Sequence, residues 1–355
     1  LSDFAALAVV PFLVALAAVL LAGKPVIGFL ASRKAKQPIS PDAPEKHRLK
    51  HGTPTMGGLL ILGAVTVAVV VTRLLPGASQ AANGFAGSRL FGVLGVFLAA
   101  GVIGVLDDLG KARKKENKAG LSERAKLALQ LGAAGAFAAF LYLNPLGGAE
   151  GTTLHLPGLS LDLGPLYYVF AVLYIAFFAN AVNFTDGLDG LASGTTLIAA
   201  SALALTVGGL TRDMAVFYGG LAGACAGFLF FNAYPARAFM GDTGSLALGM
   251  GLAAAALAAK QEALLLVVGL VYVVELFSMM IQRYVFKYRR IKHGIEYARE
   301  HRVFRRAPLH HHFEELGWHE VTVVGRFSVA ALAAAALGLA LYRLVVPAAA
   351  AGFLQ

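Results

Sequence analysis

Long apolar runs recur along the chain, and polar residues fall between them or at their ends. Phe4–Leu21, Leu166–Val182 and Phe327–Leu341 carry no charge. Each approaches the roughly 20 residues a helix needs to cross a bilayer. The runs are continuous rather than alternating, which argues for helices and against a membrane β-barrel. The pattern predicts an all-α polytopic membrane protein, a single integral-membrane unit over 1–355. About ten spans are expected, near 4–30, 55–75, 90–110, 124–143, 166–184, 188–208, 214–231, 243–260, 262–286 and 323–343. Segment 144–165 reads differently. Turn residues Asn144, Pro145, Gly147 and Gly148 precede alternating Thr153, Leu154, His155 and Leu156, which predicts a short hairpin outside the membrane.

Composition agrees with this reading. The 355 residues are 58% hydrophobic and 14% charged, against about 25% charged in soluble domains. Too few charges remain to cover a water-facing surface. The single cysteine, Cys225, excludes an intrachain disulfide and is expected in packed apolar surroundings. No cleavable leader is expected, because the first apolar run lacks a basic start and a small-residue cleavage site.

The net charge of +10 is unevenly distributed. Of 30 Lys and Arg, six lie in 31–54, seven in 107–126 and ten in 283–326. These segments follow spans one, three and nine, so all three lie on one side. Basic residues beside membrane spans mark the cytoplasmic side. The clusters are split between spans, so nucleic acid is not an expected partner. An even number of spans then puts both termini outside. The expected cytoplasmic loops are about 31–54, 107–126, 185–189, 232–243 and 287–322.

Polar residues at membrane depth are costly and tend to be functional. Here Asp107 and Asp108 end span three, and Asn180, Asn183, Asp186 and Asp189 end span five. Asn232 and Asp242 flank the turn between spans seven and eight, and His310, His311 and His312 follow span nine. Every odd span ends on the same side, so all these groups converge on the cytoplasmic face. Grouped carboxylates repel one another and raise their own pKa values. A divalent cation relieves the repulsion, and an oxygen-rich set suits Mg²⁺. Lys50, Lys111, Lys126, Arg305 and Arg306 supply positive charge for a polyanionic substrate. Metal and basic residues together are the apparatus of phosphoryl transfer.

Plainer roles exist for several of these residues. Asp107-Asp108 can serve as a helix cap before the basic run. Asn183–Asp189 can be an Asx-type turn, and has too few oxygens at the right spacing for an EF-hand. Asp108 is followed by Leu109-Gly110-Lys111, so no DDxxD motif is present. The three histidines can form a solvated or metal-binding tract, but zinc fits poorly without a cysteine nearby. Glu275, inside apolar span nine, has a structural or a site role. An ion-coupled transporter is a rival class, but transporters place carboxylates near the midplane and show internal repeats.

Five segments in order carry a resemblance: Thr53-Pro54-Thr55-Met56-Gly57-Gly58, Asp107-Asp108, Asn180 to Gly190, Phe239-Met240-Gly241-Asp242-Thr243-Gly244-Ser245, and Ala307-Pro308-Leu309-His310-His311-His312. They resemble the phospho-N-acetylmuramoyl-pentapeptide transferases, within the wider polyprenyl-phosphate N-acetylhexosamine-1-phosphate transferases. The resemblance covers about residue 45 to the last span. It implies ten spans with both termini periplasmic, a bacterial inner-membrane location and a homodimer. The implied reaction takes UDP-MurNAc-pentapeptide and undecaprenyl phosphate to lipid I and UMP, with Mg²⁺. A sister enzyme using UDP-GlcNAc is the alternative. By the same resemblance, Asp242 is the metal ligand, and Asp107 and Asp108 are the catalytic pair nearest the lipid phosphate. Asn183, Asp186 and Asp189 shape the nucleotide-sugar site. Asn232 and Phe239 lie near the uridine. Lys50, Thr55, Lys111, Lys126 and Asn180 contact substrate, and His310, His311 and His312 serve the diphosphate and sugar.

Overall fold

A computed structural model describes residues 2–33, 52–75, 85–114, 120–145, 151–208 and 211–345. Thirteen helices and one hairpin are found among them. In chain order the helices are α1 (Ser2–Ser32), α2 (Gly58–Leu74), α3 (Phe85–Lys114), α4 (Glu123–Leu143), α5 (Leu166–Thr185), α6 (Leu191–Ala204) and α7 (Met214–Asn232). They continue with α8 (Gly241–Ala259), α9 (Glu262–Val268), α10 (Leu270–His293), α11 (Ile295–Glu300), α12 (Leu309–Glu315) and α13 (Glu320–Val345). Strands β1 (Thr153–Leu156) and β2 (Leu159–Asp162) pair antiparallel between α4 and α5, with Thr153 opposite Asp162 and Leu156 opposite Leu159. The expected hairpin is therefore present.

Among the described residues seven helices are long and apolar enough to cross a bilayer, and α9 with α10 makes an eighth if that pair, bent by 78°, is one broken span. The stretches expected as spans two and six form α2 and α6, of 17 and 14 residues. Both are apolar but short of the ~20 residues of a full perpendicular crossing. The break in span nine falls at Gly269, whose backbone N–H still donates to Leu265 O at 2.8 Å.

Helix α8 is the axis of the bundle, with nearly every residue buried. It is surrounded by α2, α3 and α5, while α1 packs on α7 and α2. Small residues allow close approach. A Cβ on Gly104 of α3 would lie 2.2 Å from Asp242 O, and one on Gly58 would lie 2.2 Å from Gly244 N. Only glycine lets these backbones touch. The contact at Gly104 sets the end of α3 against the start of α8. Cys225 lies buried in α7 as a free thiol.

At the opposite end of α8 a buried polar plug fixes its length. Lys260, in the left-handed conformation with φ 57°, places Nζ 3.1 Å from Glu262 Oε1. The Tyr167 hydroxyl also donates to Glu262 Oε1, and that of Tyr174 donates to Glu262 O at 2.8 Å. Tyr218 donates to Gln261 Oε1 at 3.0 Å, and Gln261 Nε2 donates to Thr206 Oγ1 at 2.8 Å.

Helical structure extends into segments expected as cytoplasmic loops. Helix α3 runs on to Lys114, so Asp107 and Asp108 sit inside a helix rather than at its end. The last turns of α3 are polar, so hydropathy stops before the helix does. Helix α10 likewise extends to His293, and α11 and α12 occupy part of the expected loop 287–322.

Candidate active site

The site forms where α3, α4, α5 and α8 meet. Asp107, Asp108 and Asp242 each offer a carboxylate oxygen, all within 4.8 Å of one another. Asp107 and Asp108 are buried. Asp107 Oδ1 accepts the backbone N–H of Leu121 at 2.8 Å, which draws the start of α4 toward α3. Lys111, one turn along α3, places Nζ 2.6 Å from Asp107 Oδ2 and 3.3 Å from Asp242 Oδ2. Lys126, in the first turn of α4, lies 3.1 Å from Asp107 Oδ2 and also pairs with Asp242 Oδ2. Two ammonium groups thus bridge two carboxylates from different helices. Ser122 caps α4 by accepting the N–H of Ala125 at 3.1 Å, which fixes Lys126 at the helix start.

Asp108 has a different task. Its Oδ1 accepts the N–H of Asp242 at 3.1 Å, and its Oδ2 accepts from Thr243 N at 3.0 Å and Thr243 Oγ1 at 2.7 Å. It therefore caps the start of α8, satisfying donors that have no partner within the helix. The cap expected as a plain role is real, but it serves α8 rather than the helix that carries Asp108.

Asn183 donates to Asp242 Oδ1 at 3.2 Å and to Ser245 Oγ at 2.8 Å. Asn180, one turn earlier, donates to Gln130 Oε1 at 2.9 Å. Asp186 follows the last residue of α5 and is half-buried. Burial first, then the carboxylates of Asp242, Asp108 and Asp189, push its pKa up to about 8. Asp189 accepts Ala236 N on Oδ2 at 2.9 Å, while its own N–H donates to Glu320 Oε1 at 2.7 Å.

Segment 53–58 joins the site through its backbone. Phe239 N donates to Pro54 O at 2.8 Å, and the N–H groups of Gly57 and Gly58 donate to Phe239 O and Met240 O, both at 2.9 Å. Thr55 is buried, and its Oγ1 lies 2.7 Å from where a Cβ on Gly241 would stand. Gly241 has φ +71°, a left-handed conformation that a side chain would strain. Asn232 is a staple: Oδ1 accepts from Gly190 N at 3.2 Å and Ser193 Oγ at 2.7 Å, and Nδ2 donates to Ala238 O at 3.0 Å.

The three histidines lie on a short helix rather than in a loop, and they part company. His310 is fully buried against Glu275 of α10. His311 pairs with Glu314 at 2.7 Å, and His312 Nδ1 accepts Arg305 N at 3.1 Å. Arg305 donates to Glu315 O at 3.0 Å, and Arg306 lies 3.7 Å from Glu315 Oε1, so both engage the end of α12. Lys50 lies outside the described residues.

The sequence pattern brought Asp107, Asp108, Lys111, Lys126, Asn183 and Asp242 to one place, and the structure unites them. It missed Gln130, Ser245 and Glu320. Ser245 follows Asp242 by three positions on α8, a helical spacing that places them on one face. Gln130 follows Lys126 by four on α4. Glu320 carries no comparable signal.

The donors fit a hard divalent cation. Asp107 Oδ2 and Asp242 Oδ2 face one point where the only counter-charge among the described residues is the two lysine ammoniums. Both of Asp108's oxygens already accept hydrogen bonds. Asp107, Asp108 and Asp242 together offer the oxygens that could hold an ion, in a carboxylate set that suits Mg²⁺.

Residues 90–260 match the family model described as glycosyl transferase family 4, and residues 50–62 match phospho-N-acetylmuramoyl-pentapeptide-transferase signature 1. The second match falls on the segment clamped to Phe239 and Met240. Curated relatives named phospho-N-acetylmuramoyl-pentapeptide-transferase align over nearly the whole chain. The one from Heliobacterium modesticaldum is 45% identical, covering 93% of this chain and 96% of the relative. That from Pelotomaculum thermopropionicum is 44% identical, covering 95% and 98%. That from Gemmatimonas aurantiaca is 39% identical, covering 94% and 92%. With the motif residues assembled around one carboxylate cluster and identity at this level over this length, the chain belongs to the phospho-N-acetylmuramoyl-pentapeptide transferase family.

Proposed function

We propose that this chain transfers phospho-MurNAc-pentapeptide from UDP-MurNAc-pentapeptide to undecaprenyl phosphate, releasing UMP and forming lipid I. The observation that carries the reading is the meeting of Asp107, Asp242, Lys111, Lys126 and Asn183 at one end of the bundle. Both substrates are polyanions, and one is held in a membrane. A site at a helix-bundle end offers cytosolic and lipid access together. Ten passes, both termini periplasmic and a homodimer in the bacterial inner membrane complete the proposal.

Mg²⁺ held by Asp242 with Asp107 would neutralise the diphosphate and polarise its phosphorus. The chain's own residues do the rest. Lys111 and Lys126 offer positive charge on the side facing the two carboxylates. Asn183 holds Asp242 from the far side through Oδ1. Asp108 pins the start of α8, so Asp242 does not drift when the charge around it changes. The second pKa of a phosphate monoester is about 6, so the lipid phosphate is largely dianionic at neutral pH. It needs positioning more than deprotonation. Direct in-line attack on the β-phosphate follows, with Asp107 orienting the acceptor or taking its residual proton. One diphosphate bond replaces another, so the step should run readily in reverse.

The test is UMP release by purified protein with Mg²⁺, undecaprenyl phosphate and either UDP-MurNAc-pentapeptide or UDP-GlcNAc. Turnover with the muramoyl donor alone supports the proposal, and turnover with UDP-GlcNAc alone defeats it. Isolation of a phospho-aspartate from the donor without lipid would replace direct attack by a two-step route.

A further inference from the structure

Glu275 lies in α10, in apolar surroundings, and its side chain is fully buried. A carboxylate there is costly without a task. Its two oxygens both serve one residue. Oε1 accepts the backbone N–H of His310 at 3.1 Å, and Oε2 lies 3.0 Å from His310 Nδ1. An ionised carboxylate only accepts, so Nδ1 is the donor. The other ring nitrogen, Nε2, is buried and has no hydrogen-bond partner among the described residues. It points at the turn between Asp186 and Leu188: a Cβ on Gly187 would stand 2.2 Å from it. The chain therefore keeps a buried acceptor aimed at the wall of the carboxylate site and leaves it unfilled. Buried polar atoms in folded proteins are nearly always paired, so an orphan calls for an explanation.

We infer that Glu275 is a positioning residue: it locks His310 in the Nδ1–H tautomer, so that Nε2 is presented beside Asp186 and Gly187 to accept a proton-bearing group of the donor substrate. The partner chemistry is a hydroxyl or amide N–H, since a bare imidazole nitrogen repels phosphate oxygens. The inference rests on the proposed transfer for its substrate, but not for its tautomer. Which nitrogen carries the proton is set by the bond the other one makes. Simple bracing of α12 is the competing role.

Glu275→Gln separates the two. Glutamine can keep both bonds, with its carbonyl accepting His310 N–H and its amide donating to Nδ1. The brace survives and the tautomer inverts, putting the proton on Nε2. Nitrogen-15 NMR of histidine-labelled, ligand-free protein reads the tautomer directly. Wild type should show a protonated Nδ1 and a bare Nε2 at His310, and the Gln variant the reverse. UMP release should then fall in kcat by roughly tenfold or more, with the KM for undecaprenyl phosphate unchanged. Glu275→Asp, which restores a carboxylate, should recover the wild-type tautomer and part of the rate. The Glu275→Gln/His310→Gln double variant should be no slower than His310→Gln alone. A Gln variant with inverted tautomer and full kcat overturns the inference, as does a wild-type His310 protonated on Nε2. Failure of wild type to release UMP would instead count against the proposed function, because the NMR readout needs no substrate.

Discussion

The carboxylate of Asp108 accepts the backbone N–H of Asp242 at 3.1 Å, so one site aspartate caps the helix that carries another. Neighbouring aspartates in sequence thus divide the labour. Asp107 Oδ2 faces the two lysines, whereas Asp108 is spent on the start of α8. Asp108→Ala should lower thermal stability, by about 1–2 kcal/mol for a lost helix cap, and activity should fall with it. Asp107→Asn should leave the melting temperature near wild type and abolish most turnover. Thermal unfolding in detergent alongside UMP release checks both. Equal melting temperatures for Asp108→Ala and wild type would rule out the capping role.

Lys126 competes with any cation for the same carboxylate oxygens. It lies 3.1 Å from Asp107 Oδ2 and pairs with Asp242 Oδ2. Lys126→Ala removes one of two counter-charges and leaves like charges facing each other. Mg²⁺ should then stabilise the variant more than wild type, because ligand-linked stabilisation grows with affinity. On the proposed function turnover should fall nevertheless, since a positive charge beside the carboxylates is lost. The measurement is the Mg²⁺-induced rise in melting temperature for each protein. An equal or smaller rise in the variant contradicts this arrangement.

Much of this arrangement is legible in the order of residues alone. Alternating direction over α3, α4 and α5 puts Asp107 and Asn183 at one end, and the start of α8 brings Asp242 to them. Other features are hidden. The ends of α3 and α10 lie beyond where hydropathy stops, since a helix continues into water once its residues turn polar. Asn232 and Asp189, expected near the nucleotide, also tie the turn after α5 to the segment before α8 through their side chains. Polar side chains at a membrane boundary serve backbone and ligand alike, and only geometry separates the two. Glu320 and Glu275 act across more than 30 positions of chain on the Asp189 N–H and on His310. No local spacing encodes such pairs.

The plug at the far end of α8 should matter for stability and not for chemistry. Lys260 and Glu262 are both almost fully buried, 3.1 Å apart. Glu262→Leu strands the Lys260 charge and removes the acceptor of the Tyr167 hydroxyl. Breaking one side of a buried pair costs about 3–5 kcal/mol. A lower melting temperature with unchanged kcat per folded molecule is the expected outcome. Lys260→Met/Glu262→Leu should recover most of the loss, because no charge is then left alone. A double variant as unstable as the single one would contradict the pairing.

His311 gives the acid limb of stability. Burial holds its pKa down at about 4, against an ordinary 6.5, and neighbouring Arg306 adds to the shift. The bond to Glu314 acts the other way but does not offset burial. The unfolded chain therefore takes up a proton between pH 6.5 and 4 that the folded protein refuses. Stability linked to this group is complete above about pH 6.5 and is lost as pH falls toward 4. His311→Gln keeps a donor for Glu314 and removes the titration. Its melting temperature should thus fall less than that of wild type between pH 7.5 and pH 5. Carboxylates elsewhere titrate in both proteins and cancel in the difference. Parallel pH–melting curves for the two would show that the imidazole of His311 is protonated as easily in the fold as in the open chain.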